Sequence, residues 1–224
     1  MADRRGLFIT IEGPEGAGKT TQARLLAAHL QRRDPTVLHT REPGGTRIGE
    51  RIRQILLDAD HREMARVTEM LLFAAARAQF VAQVVRPALE AGRLVLSERY
   101  VDASLAYQGQ GRGLGMETVG RVNEVATGGL RPDLTILLDI DPAVGVRRAR
   151  ATPGKEGQVG RGDRMEQEDL DFHRRVREGF LALAREDPER IVVIDGHGDP
   201  PDVHARIARV VERFLQERGW PPSS

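Results

Sequence analysis

The residues Gly13-Pro14-Glu15-Gly16-Ala17-Gly18-Lys19-Thr20 satisfy G-x-x-x-x-G-K-[ST] at every fixed position. Glycines at this spacing let the backbone curl until successive N–H groups face one phosphate, and a helix starting near Thr20 adds its positive end. Lys19 can then reach the outer phosphates of a triphosphate. The Thr20 hydroxyl, followed by Thr21, suits a Mg²⁺ ion. The motif says that a triphosphate is held; it does not say what is done with it.

The rest of the composition narrows the choice. The chain has 34 basic and 33 acidic residues and a net charge of +1, so no overall field would hold a nucleic-acid polymer by counterion release. Only Lys19 and Lys155 are lysines. With lysine at these two positions alone, and Glu156 following Lys155, the Asn-Lys-x-Asp element that guanine-reading switches carry is absent. There is no cysteine, hence no disulfide framework or thiolate metal site, and the six histidines fall into no metal-ligand spacing. The apolar run from Leu7 to Ile11 is too short for a signal-peptide core or a membrane span, which points to a cytoplasmic protein. A small-molecule kinase is the class that remains.

The elements that must position these groups read as α/β. Short Val/Ile/Leu runs at 7–12, 36–40, 93–98, 133–139 and 190–195 alternate with stretches of helical period at 20–33, 48–58, 67–91, 116–127, 142–151, 166–186 and 201–218. That alternation predicts a parallel sheet with helices on both faces, within one domain spanning 1–224. Two segments break the pattern. Residues 98–115, rich in glycine and polar side chains, read as a loop at the ligand edge of the sheet. Residues 152–163 have no apolar period and read as a flap, giving a lid at about 151–164.

Several further segments, taken with the P-loop, resemble the bacterial thymidylate kinases. They are Arg41-Glu42-Pro43-Gly44-Gly45-Thr46, Glu98-Arg99-Tyr100, Ala106-Tyr107-Gln108-Gly109, Arg131-Pro132-Asp133-Leu134-Thr135 and Asp163-Arg164-Met165-Glu166. The resemblance runs from Ile11 to about Phe180 in the family's order. It implies a nucleoside-monophosphate-kinase fold with a five-stranded parallel sheet, ATP as donor with Mg²⁺, dTMP as the small-molecule acceptor, and a homodimer. The competing readings are a kinase of the same fold for another nucleoside monophosphate and, in a different class, a P-loop switch driven by nucleotide hydrolysis.

The resemblance also assigns roles. Glu15 corresponds to the acid that meets the 3′-hydroxyl of dTMP, and Arg99 to the arginine that grips the acceptor phosphate. Phe73 and Arg77, four apart on one helix face, correspond to the ring that stacks on thymine and the guanidinium that bonds its edge; by spacing alone they read as core and solvated face. Pro43, Arg47, Ser104, Tyr107 and Gln108 complete the acceptor side, with Tyr107 crowding a 2′-hydroxyl. Thr20 and Glu98 are the expected Mg²⁺ residues, Glu98 standing where the family usually has Asp. Some members carry an arginine in the P-loop. This loop has none, so the transition-state charge is expected from Arg150, Arg161 or Arg164 at the lid. Asp139 and Asp141 resemble a Walker B acid, although Asp141 ahead of Pro142 reads better as a helix cap.

Overall fold

The computed structural model describes residues 5–151 and 163–220. Five parallel strands lie in the order β2-β3-β1-β4-β5, with β1 at Leu7–Glu12, β2 at Leu38–Arg41, β3 at Leu94–Glu98, β4 at Leu134–Asp139 and β5 at Ile191–Asp195. Every residue of β1 is buried, as expected for a strand covered on both faces. Its alternating side chains serve two cores. Leu7, Ile9 and Ile11 join a cluster with α1 (Lys19–Gln31) and α9 (Pro200–Glu217), while Phe8 packs with Phe80, Val85 and Tyr100 on the opposite face.

The register sets the site. Ile11 pairs with Glu98 of β3, and Glu12 pairs with Leu137 of β4, so the three carboxyl ends lie side by side. The chain leaves β1 toward the β2 edge and leaves β4 toward the β5 edge. Such a reversal between neighbouring strands opens a crevice at their carboxyl ends.

The expected strands match within two residues, and the helices 116–127 and 142–151 are found as α6 (Met116–Thr127) and α7 (Pro142–Ala151). Three expectations need correction. The helix expected over 67–91 is α-helical at Arg66–Phe80 (α3), widens to a π-helix at Val81–Val85 and tightens again at Arg86–Glu90 (α4). The widening ends two residues before Pro87, whose ring nitrogen cannot donate to the carbonyl four residues back, that of Gln83. The segment 98–115 is largely helical, with α5 at Val101–Ser104 and a π-helix at Leu105–Gly111. Burial of Ala106 and Tyr107 against Phe172, Val176 and Phe180 overrides the poor helix propensity of its glycines. Finally, α8 begins at Leu170, because Asp169 caps it by accepting from Phe172 N at 2.6 Å, and residues 164–167 form turns instead. Helix α2 spans Arg47–Leu57 and is capped by Thr46, which accepts from Gly49 N at 2.9 Å. The proposed lid falls almost wholly outside the described residues.

Candidate active site

One cleft of about 1740 Å³ opens at the carboxyl ends of the strands. Its floor on one side is the loop between β1 and α1. Gly13, Gly16 and Gly18 there have φ of 144, 67 and 89°, conformations that side chains resist. Glu15, Gly16, Ala17, Gly18, Lys19, Thr20 and Thr21 all line the cleft, while Gly13 and Pro14 sit behind them. Lys19 Nζ donates to Pro14 O at 2.7 Å. Burial, then the neighbouring Arg99, pulls the Lys19 ammonium down to about 8. A phosphate beside it would restore the charge.

Thr20 Oγ1 donates to Glu98 Oε2 at 2.8 Å, and both residues face the cleft. A hydroxyl and a carboxylate this close are hard oxygen donors of the type Mg²⁺ takes with phosphate and water completing the shell. Among the described residues no group of three His, Cys, Asp or Glu side chains is arranged to hold a metal by itself. The pair therefore fits an ion that arrives with a nucleotide.

Residues expected on the acceptor side gather around Glu15. Its Oε2 accepts from Arg99 Nη2 at 3.1 Å and from the Tyr107 hydroxyl at 3.3 Å, and the Arg99 guanidinium lies 5.0 Å from the Tyr107 ring centre. Burial alone would raise the Glu15 carboxyl, yet Lys19, Arg99, His173 and the Tyr107 hydrogen bond hold it at about 2. Glu15 is ionised at any working pH. Burial pushes the Tyr107 phenol up, so it stays a neutral donor.

Deeper in the same cleft, Phe73 is half-buried and belongs to no core cluster, whereas Arg77 is only 1% exposed. This inverts what their spacing alone suggests. Arg77 is held by Ser104 Oγ at 2.9 Å, by Tyr100 O at 3.1 Å, and by close contacts with Asn123 and Glu42. Gln108 Nε2 donates to Glu69 at 2.8 Å, and Pro43 lines the wall after a cis Glu42–Pro43 peptide.

Two expected residues stand elsewhere. Arg47, at the first turn of α2, is exposed and does not line the cleft; Arg53 does, donating to Pro43 O at 3.1 Å. Arg164, expected to bring charge to the transferring group, is buried against Glu69 at 2.5 Å and donates its Nε to Leu56 O at 3.0 Å. These two contacts tie the segment that begins at Asp163 to the end of α2 and to α3. Arg150 lines the cleft, and Arg161 lies outside the described residues. Asp141 accepts from Ala143 N at 2.9 Å and Val144 N at 3.2 Å, a helix cap, and Asp139 is paired with Arg177 at 2.6 Å.

Sequence reasoning missed Asn123, Arg53, Asp163 and Gly145. Asn123 comes from α6, far along the chain, and no local spacing marks it. Asp163 lines the cleft, where burial and the nearby Glu15 raise its carboxyl. Gly145 of α7 lies against the phosphate loop so closely that a Cβ there would stand 2.2 Å from Glu15 O.

Comparisons with known proteins identify the family and the fold. The thymidylate kinase family model matches residues 11–207. The thymidylate kinase of Deinococcus radiodurans is 51% identical over 210 residues, covering 93% of this chain and 98% of the relative. That of Geotalea uraniireducens is 50% identical over 213 residues, covering 95% and 99%. The crystal structure of thymidylate kinase from Ehrlichia chaffeensis superposes with a TM-score of 0.76 at 30% identity, covering 92% of this chain and 99% of the other. A match that spans both halves of the cleft, at these identities and over nearly full length on both sides, places the chain in the thymidylate kinase family.

Proposed function

We propose that this chain transfers the γ-phosphoryl group of ATP to dTMP, giving ADP and dTDP. The observation that carries the reading is the shared cleft: Glu15, inside the phosphate loop, is bonded to Arg99 and Tyr107, and the same cavity continues to Phe73 and Arg77. A hydrolytic switch needs only the first half. Here the second half offers a guanidinium for a phosphate, a carboxylate for a sugar hydroxyl, and a ring with a buried arginine for a flat base.

The acceptor is a phosphate oxygen that is already ionised at neutral pH, so the site needs no general base. Its task is to bring two polyanions together and neutralise charge as it spreads over the transferring group. Lys19 and the loop N–H groups hold the donor end. Arg99 holds the acceptor phosphate, and its planar guanidinium suits two oxygens at once. Glu15 and Tyr107, bonded to each other, would border the sugar, where by the family resemblance the phenol would crowd a 2′-hydroxyl. Thr20 and Glu98 would hold Mg²⁺, which when bound supplies further neutralising charge at the phosphates. Of the lid arginines, Arg150, which lines the cleft, would add the last positive charge, with Arg161 the other source.

The helices α2 and α3 carry large apolar side chains left in solvent: Ile48 and Ile55 one heptad apart, and Val67 and Leu71 one turn apart. The two helices pack on each other, and we place the homodimer contact on these exposed apolar residues. No helix among the described residues is long and apolar enough to cross a membrane, and cytoplasmic residence fits the cysteine-free composition. The reading is tested by quantifying both products from ATP and dTMP: ADP and dTDP should form in equal amounts, and ADP without dTDP would refute it.

A further inference from the structure

Glu12 is the last residue of β1, directly ahead of Gly13, and it is 0% exposed. It does not line the cleft and so touches neither nucleotide site. Its Oε1 accepts from Tyr100 N at 2.6 Å and from Ala103 N at 3.2 Å, on the neighbouring chain segment beyond β3. Oε2 has no hydrogen-bond partner among the described residues. A carboxyl buried in this way is costly, and a strand would be better served by an apolar side chain unless the acceptor is needed.

What the acceptor holds is the turn at Arg99. With φ of 67°, Arg99 is the one non-glycine residue in the left-handed region among the described residues. A side chain there crowds the backbone, so the conformation persists only if its surroundings fix it. Three contacts do so. Arg99 N donates to Ile11 O at 3.0 Å, Ser97 Oγ donates to Arg99 O at 3.0 Å, and the next N–H, that of Tyr100, is taken by Glu12.

We propose that Glu12 is a positioning residue, whose buried carboxyl locks the Arg99 turn so that the guanidinium faces the acceptor-phosphate position at a fixed distance from the donor loop. The inference rests on the reading of Arg99 as the acceptor-phosphate ligand. Because Glu12 and Gly13 are consecutive, one residue ties the donor cradle to the acceptor arm, and in-line transfer needs those two anions set to within about 1 Å. Burial, then the Asp102 charge, raises the Glu12 carboxyl to about 8 against Arg99 and Lys19. Glutamine is therefore close to an isostere of the form present at neutral pH, whereas aspartate retracts the acceptor by one methylene.

The test compares the full-length wild type with Glu12→Gln, Glu12→Asp and Arg99→Ala, reading kcat, KM for dTMP, KM for ATP and the thermal midpoint of each. Arg99→Ala should raise KM for dTMP by about tenfold or more, with KM for ATP within about threefold. Glu12→Asp should follow it in direction, raising KM for dTMP about tenfold with the ATP value little changed, while Glu12→Gln stays within about threefold for both. A normal KM for dTMP in Glu12→Asp, an equal rise for both substrates, or a Glu12→Gln as impaired as Glu12→Asp would overturn the inference. If Glu12→Asp does not fold, Glu12→Met, of similar length but without an acceptor, must show the same selective loss. Arg99→Ala with an unchanged KM for dTMP would bring down the Arg99 assignment and this inference with it; an impaired Arg99→Ala beside a normal Glu12→Asp removes this inference alone.

Discussion

Glu15 Oε2 lies 3.1 Å from Arg99 Nη2, so a residue inside the phosphate loop is ion-paired to the first residue beyond the neighbouring strand β3. An acid among phosphate-binding N–H groups opposes the loop's own purpose unless it serves a second ligand. Its pairing with the arginine and with Tyr107 supports the proposal that the second ligand binds beside the first.

The pair makes acid stability depend on Glu15. Its carboxyl is ordinarily near 4.5 and is held at about 2 in the folded chain, so its contribution is fully present above 4.5 and is lost as pH falls toward 2. Thermal midpoints of the wild type and Glu15→Gln should differ at pH 6, with the gap narrowing on acidification through that window. A gap that widens on acidification would contradict the sign.

Lys19 should govern donor affinity from the alkaline side. Its ammonium, lowered to about 8 by burial and Arg99, is lost as pH rises through that value, whereas bound phosphates favour the charged form. ATP affinity should fall above pH 8, and titration calorimetry in buffers of different ionisation enthalpy should show proton uptake on binding near that pH. Lys19→Ala should lower transfer by about 10³-fold with the fold intact by circular dichroism.

The two described lid-side arginines should separate cleanly. Arg150→Ala is expected to lower kcat with little change in KM for dTMP or in thermal stability. Arg164→Ala should instead lose about 2 kcal/mol of stability, because it leaves Glu69 buried with only Arg112 and Gln108 to answer it. Equal stability of the two variants in urea unfolding would contradict this division.

Gly145 offers a test of the donor cradle from outside the motif. A methyl group at this position meets the Glu15 carbonyl at 2.2 Å, backbone against side chain, with no flexible neighbour to yield. Gly145→Ala should raise KM for ATP about tenfold or more while α7 itself, if anything, gains helix propensity.

The exposed face of α2 and α3 should set the oligomeric state. Leu71→Glu places a charge in the apolar patch, and sedimentation should show the wild type as a dimer and the variant shifted toward monomer. A wild type that sediments as a monomer would remove this assignment.

Much of this was legible in the sequence for a physical reason: strands buried on both faces read as continuous apolar runs, so β1, β3 and β4 stand out between polar segments, and the edge strand β5 is marked by its Ile191–Ile194 run although it is only partly buried. The start of β2 was misjudged because Thr36 turns back onto Asp34, with its N–H at 2.9 Å and hydroxyl at 2.6 Å from Oδ1, and only then extends. The helical stretch around Tyr107 was hidden because tertiary burial, not propensity, forms it. Arg47 and Arg53 share one helix, and only the docking of α2 decides which faces the cleft. Arg164 sits beside the lid in sequence, yet its partner Glu69 belongs to a distant helix. Glu12 stands in the stretch Ile11-Glu12-Gly13 where the family resemblance begins, yet neither the motif nor the resemblance gave it a role; an acid at the end of an apolar strand reads as the strand's polar terminus.

The most direct measurement is a coupled assay with ATP as donor and dTMP, dUMP, dCMP, dGMP and AMP as separate acceptors. The expected result is the highest kcat/KM for dTMP, with dTDP formed one for one with ADP. Preference for another monophosphate, or slow ATP hydrolysis with transfer to none of them, would contradict the account.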